Sequence, residues 1–144
     1  MSLGLFASAK EDLNGIHTVA DLHGRQVIMV NGYVLEKELR AAGANLSFVP
    51  DNHQAGIMLD HHPHFILAGF RQPIEYHRER AGLTRPLFFR ELSSGPNFLC
   101  LSRAYPDAAR VMGVFNAGLK RINADGSYAA ILDAYRATGT VPVN

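Results

Sequence analysis

The chain is 144 residues long, 47% hydrophobic and 19% charged, with a formal net charge of +1. That length suits one domain or the larger part of a two-lobed one, and the composition is too apolar for a disordered chain. Lys, Arg, Asp and Glu are interleaved without a basic stripe, so the charge gives no support for nucleic acid as a partner.

Residues 1–17 read as a leader or linker. The apolar start, Met1 to Ala7, is too short for a secretory signal and lacks its basic flank. No apolar run approaches the length that spans a bilayer. A cytoplasmic protein and one whose leader has been removed both fit this start.

Residues 18–90 read as an α/β domain. Thr18 caps a single helical turn through Leu22, with Gly24 beyond its end. Arg25 to Val30 is a strand whose near-continuous apolar run suits a sheet covered on both faces. Asn31-Gly32 breaks it. From Tyr33 to Ala42, Leu35, Leu39 and Ala42 share one face of an amphipathic helix that Gly43 stops. Leu46 to Val49 is a second strand ended by Pro50. Asp51 to Gln54 has the form of a helix N-cap with a capping residue three positions on, and that helix runs to about Asp60. A third strand, His64 to Ala68, ends at Gly69, and a further helix follows from Ile74 to Ala81. This alternation predicts an open, mostly parallel sheet flanked by helices.

The remainder, with a C-terminal part at residues 91–144 that reads as a crossover strand and two helices, differs in pattern. Leu87-Phe88-Phe89 and Phe98 to Leu101 are strand-like, separated by the loop composition Ser93-Ser94-Gly95-Pro96. The lone cysteine, Cys100, reads as a buried strand thiol, because no base or cation stands near it in sequence. Ala108, Val111, Met112, Phe115, Leu119 and Ile122 keep helical spacing through Asn123. After Asp125-Gly126-Ser127, Tyr128, Ile131, Leu132 and Tyr135 define a last helix ending near Gly139.

This order of motifs resembles family 3 extracellular solute-binding proteins, the type II periplasmic binding proteins of ABC importers. The run TVADLHGRQVIMVNGY (residues 18–33) is similar to the start of that family's second lobe. RELSSGPNFLCLSRAYPDAARV (90–111) sits where the family returns to its first lobe. FNAGLKRINADGSYAAILDAYRATG (115–139) resembles its C-terminus. The resemblance implies a truncated member: a second lobe, then a crossover strand and two helices that would complete a first lobe whose opening segment is largely missing. It implies a periplasmic or extracellular location and an ABC permease as partner. Where the family places an aspartate that holds a ligand's amino group, this chain has Gly69, and the family's carboxylate-gripping arginine has no counterpart here.

Two turns are the candidate ligand contacts. Asn31-Gly32-Tyr33 leads from a strand's carboxyl end into a helix, where unpaired N–H groups and the helix dipole suit an anion. Gly32 permits close backbone approach, and Asn31 and Tyr33 add side-chain hydrogen bonds. Gly69-Phe70-Arg71 follows the third strand, with Phe70 as an apolar wall and Arg71 as a bidentate donor to an acidic solute.

Catalysis finds less support. Asp60-His61-His62-Pro63-His64, with His53 upstream, gathers metal-ligating types, but Pro63 extends the chain, and neighbours in one strand rarely close a tetrahedral site. There is no Gly-x-Ser-x-Gly elbow, and Glu75, Glu79 and Asp133 lie on predicted helix faces as solvated charge. The expectation is therefore a binding protein for a small polar solute, an amino acid or organic anion, with no catalytic residue, cofactor or metal. A ligand-sensing input domain of a receptor or regulator is the alternative, and a metal-dependent enzyme using His61 to His64 is the third reading. Apolar helical stripes left without a first lobe predict a homo-oligomer.

Overall fold

The computed structural model describes the backbone of residues 1–136 and 141–142 and the side chains of residues 1–134. The chain forms two compact units, one built on Met1–Gly95 and one on Pro96–Ala137. The boundary falls at Gly95-Pro96, after the strand that crosses residue 90.

The first unit holds β1 (Ser2–Ala7), β2 (Gln26–Val30), α1 (Glu36–Ala41), β3 (Asn45–Val49), α2 (Asn52–His61), β4 (Ile66–Phe70), α3 (Arg71–Arg80) and β5 (Phe88–Ser94). With β6 (Val141–Pro142) they make one sheet in the order β3-β2-β4-β1-β5-β6. The pairs β2·β3, β2·β4 and β5·β6 are parallel, while β1 runs against both its neighbours. The sheet is open and mostly parallel, as the alternation of strands and helices implies.

Its layering follows from handedness. The β2-to-β3 connection steps to one side and the β3-to-β4 connection steps back across β2. Right-handed crossovers in opposite directions must lie on opposite faces. Accordingly, Leu35 and Leu39 around α1 pack with Leu5, Val27, Met29 and Ile66 on one face. Ala55 and Leu59 of α2 and Ile74 of α3 pack with Phe6, Ile28, Leu67 and Phe89 on the other. Neighbours in each strand thus serve opposite cores, which is why β2 and β4 read as continuous apolar runs.

Several local features match the sequence reading. Thr18 and Asp21 form a capping box on the short 3-10 turn Val19–Leu22. The Asp51 carboxylate accepts from the Gln54 N–H at 2.8 Å and caps α2.

Others correct it. Residues 2–7 are not linker: β1 lies inside the sheet between β4 and β5, with Leu5, Phe6 and Ala7 fully buried. The third strand sits two residues later than expected, so Gly69 and Phe70 belong to β4 and α3 starts at Arg71. Pro73 does not delay the helix, because a first-turn N–H has no partner to lose. Helix α1 begins at Glu36, after a tight turn at Tyr33, where the Glu36 N–H donates to the Tyr33 carbonyl. Ser93 and Ser94 end β5, opposite Leu3 and Ser2. Phe98 to Leu101 is not a strand, and Cys100 is exposed.

The second unit contains α4 (Ala108–Ala124) and α5 (Ser127–Arg136), joined at Asp125-Gly126. Among its described side chains none is fully buried. The predicted end near Gly139 and the side chain of Tyr135 lie outside the described residues.

Candidate functional site

Strand polarity gathers the carboxyl ends of β2, β3 and β4 on one edge of the sheet. The antiparallel β1 brings its amino end there too, with Leu3 opposite Phe70. Winding reverses at β2, and ligand crevices in open α/β sheets lie beyond the carboxyl ends at such a reversal. All six sequence-predicted residues, Asn31, Gly32, Tyr33, Gly69, Phe70 and Arg71, lie at this edge.

The two turns meet through aromatic rings. Tyr33 and Phe70 have ring centroids 5.6 Å apart, tilted by 58°, and both side chains are half-buried. A Cβ on Gly69 would stand 3.4 Å from Ile74 and 3.9 Å from the Tyr33 ring, ordinary contact distances, so the ring lies over β4 at this position. The Tyr33 hydroxyl donates to the Asn52 side-chain oxygen at 2.9 Å. That bond ties the turn after β2 to the first residue of α2, and so spans the ends of two strands.

The main-chain donors differ from expectation. Asn31 N–H donates to the Val49 carbonyl at 3.0 Å, and Tyr33 N–H donates to the Val30 carbonyl at 3.2 Å. Of these three residues, Gly32 is the one whose N–H has no backbone acceptor among the described residues, at a φ of 78° that glycine tolerates without strain. With α1 starting three residues further on, the turn is a hydrogen-bonded rim and not a helix N-terminus.

Arg71 reaches the edge already paired. Its Nε lies 2.6 Å from Glu75 Oε1, one helical turn on, and its guanidinium sits 5.2 Å from the Phe89 ring centroid. Glu91 stands nearby on β5. Hydrogen bonds from Ser2 and then Ser94, with the charge of Arg71 adding less, hold its carboxyl below the usual glutamate range. An acidic solute would therefore share Arg71 with a carboxylate.

Sequence reading missed Asn52, Glu91, Ser2 and Ser94. Asn52 was within reach, since it follows a strand's carboxyl end. The other three depend on β1 and β5 being strands to their ends, which the composition of those segments obscures.

The histidines lie elsewhere. His61 ends α2 and His64 precedes β4, at the edge of the sheet opposite the candidate residues. His62 stacks on Phe65 at 4.8 Å, and His64 stands 3.9 Å from Asp12. Among the described residues no group of three His, Cys, Asp or Glu could hold a metal ion. Arg78 near the same edge is buried over Gly56 and donates to the Arg85 carbonyl at 3.0 Å. Burial pulls its guanidinium below its ordinary value, partly offset by Asp60. It is a structural charge, packed between α2 and α3.

No protein-family model matches the chain and no curated protein is significantly similar to it. Solved structures do match. An ancestral arginine-binding protein bound to arginine superposes with a TM-score of 0.68 at 15% identity, over 94% of this chain and 61% of that one. A histidine kinase sensor domain with similarity to periplasmic binding proteins gives 0.65 at 19% identity, over 97% and 60%. Substrate-binding domain 2 of Lactococcus lactis GlnP, in its open conformation, gives 0.56 at 18%, over 93% and 57%. The chain has the fold of periplasmic-binding-protein-like domains, and it spans about three fifths of the length of each of these structures.

Proposed function

We propose that this chain, built on the periplasmic-binding-protein-like fold, binds a small polar solute at the carboxyl-end edge of its sheet. The observation that carries the reading is the joined rim: Tyr33 packs against Phe70 across Gly69 and is fixed to Asn52 by its hydroxyl. The rings offer an apolar wall, while Asn31, Asn52 and the Gly32 N–H offer directional polar contacts. Small-ligand sites combine apolar walls with a few well-placed polar groups. The solute is an amino acid or a small organic anion, a class that includes what some fold neighbours hold, arginine in one structure and glutamine in another.

In the full reading the chain is the substrate-binding component of an ABC importer, outside the membrane, handing its solute to a permease. Closure of two lobes by hinge motion would trap the solute, as such two-lobed folds do. A second reading, a ligand-sensing input domain, is favoured by the likeness to a histidine kinase sensor domain. Both readings use the same edge and need no catalytic group.

Isothermal titration of the purified chain with amino acids, organic acids and polyamines tests the binding reading. We expect saturable binding of one class, weakened at least about tenfold, or 1.4 kcal/mol, by Tyr33→Ala. Absence of binding across the panel, or binding indifferent to Tyr33→Ala and Phe70→Ala, refutes it. Restored uptake when the chain is supplied with a permease distinguishes import from sensing.

A further inference from the structure

Asn-Gly occurs at Asn14-Gly15 and at Asn31-Gly32, and both pairs stand in the same kind of turn. The Tyr33 N–H donates to the Val30 carbonyl at 3.2 Å across one pair, and the Ile16 N–H donates to the Leu13 carbonyl at 3.3 Å across the other. Gly32 has a φ of 78° and Gly15 one of 74°, while neither asparagine has a positive φ, so both turns are of type II. All four residues are exposed. The side chains of Asn45, Asn52 and Asn123 are each hydrogen-bonded, whereas that of Asn31 has no such partner among the described residues. The Gly32 N–H beside it also lacks an acceptor there, and a Cβ on Gly32 would meet nothing within 4 Å. A glycine peptide with open space around it turns with little steric resistance.

We propose that Asn31 is a site of spontaneous deamidation, at which the rim of the candidate site gains a carboxylate as the protein ages. The Gly32 main-chain nitrogen gives up its proton and attacks Asn31 Cγ. The new C–N bond closes a succinimide ring, the Cγ–Nδ2 bond breaks, and the amide nitrogen leaves with that proton as ammonia. Water then adds to either ring carbonyl and opens the adjoining C–N bond, giving an aspartyl or an isoaspartyl linkage. Water is the only co-reactant, and nothing is oxidised or reduced. Either product replaces a neutral amide by a charge at the carboxyl end of β2. The isoaspartyl form also puts an extra methylene into the main chain, which lengthens the turn closed by the Tyr33 N–H and displaces the Tyr33 ring from Phe70. An effect on solute binding rests on the reading above; the chemistry at Asn31 does not.

Peptide mapping by mass spectrometry, on the folded chain incubated at neutral and at mildly alkaline pH, tests the proposal. We expect the peptide holding Asn31 to gain the mass difference between NH and O, in both linkage forms. Conversion should be faster at the higher pH, because the attacking nitrogen must lose its proton. Asn97 is the internal control: it is exposed and its side chain has no partner among the described residues, but Phe98 follows it. Its conversion should be several-fold slower. The same chain unfolded in urea gives the rate that the Asn-Gly pair has without a fold. Gly32→Ala places a side chain beside the attacking nitrogen and should slow conversion at Asn31 several-fold while leaving Asn14 unchanged. An Asn31 that stays intact in the folded chain while it converts in urea overturns the proposal, since the turn then protects it. Conversion no faster than at Asn97, or indifferent to Gly32→Ala, overturns it too. None of these readouts involves a solute, so their failure is distinct from a failure to bind one.

Discussion

Replacing Gly4 by alanine is the sharpest test of how the sheet is assembled. Gly4 lies in β1, paired with Gly69 on β4 and with Glu91 on β5, where the register of β1 and β5 shifts. A Cβ added there would stand 2.2 Å from the Arg90 carbonyl oxygen and 2.7 Å from the Phe89 ring. The ring could turn aside, but the carbonyl belongs to a strand bonded to β1 and cannot. Overpacking costs about 1–3 kcal/mol, and a clash with backbone belongs at about 3. For a chain of this size each kcal/mol lowers the melting point by roughly 2–4 °C, so Gly4→Ala should melt about 6–12 °C lower. Gly95→Ala is the control: no atom lies within 4 Å of its added Cβ and its φ is not left-handed. That change should stay within about 0.5 kcal/mol of wild type. Thermal unfolding followed by circular dichroism separates the two. A Gly4→Ala chain melting within about 2 °C of Gly95→Ala would refute the placement of β1 between β4 and β5.

Asp51→Ala removes the side-chain cap of α2 and should cost about 1 kcal/mol in urea unfolding, with Asp51→Asn close to neutral. Tyr33→Phe keeps the ring against Phe70 but leaves Asn52 without its donor, a loss of about 0.5–1.5 kcal/mol in the same assay. Hydrogen bonds hold three carboxylates below their usual range: Asp21 by the His17 and Thr18 N–H groups and the Thr18 hydroxyl, Glu91 by Ser2 and Ser94, and Asp125 by Ser127. A depressed folded value adds stability that is complete above the unfolded pKa and is lost as pH falls through the folded one. The melting point should therefore decline below about pH 4. Thr18→Val should raise the Asp21 titration measured by NMR; an unchanged titration would contradict the capping box.

Much of the fold was legible in particular runs of residues, and the candidate site was legible in part. Val27 to Val30 and Ile66 to Ala68 are apolar at every position because both faces of the sheet are covered, and that property is local to each strand. Asp51 caps α2 through an N–H three residues away, and Gly24 and Gly43 take left-handed φ where the pattern asks for stops. These signals act within a few residues, so a single chain displays them. For the same reason Asn31 to Tyr33 and Gly69 to Arg71 could be placed at strand ends before any coordinates.

The tertiary structure decided what depends on partners distant in sequence. Ser2–Ala7 became an interior strand only because β4 and β5 offer it two open edges, and nothing within those six residues announces them. Phe98 to Leu101 has strand composition yet forms no strand, because a strand needs a partner edge as well as a composition. Arg71 looked like a free cation until Glu75 and Phe89 claimed it. Tyr33 and Asn52 are 19 residues apart, and their contact exists because two parallel strands end side by side. Helix and strand tendencies arise from neighbouring residues along the chain. Pairing, burial and the meeting of site residues arise from how separate segments share one sheet, and that sharing is what the folded structure adds.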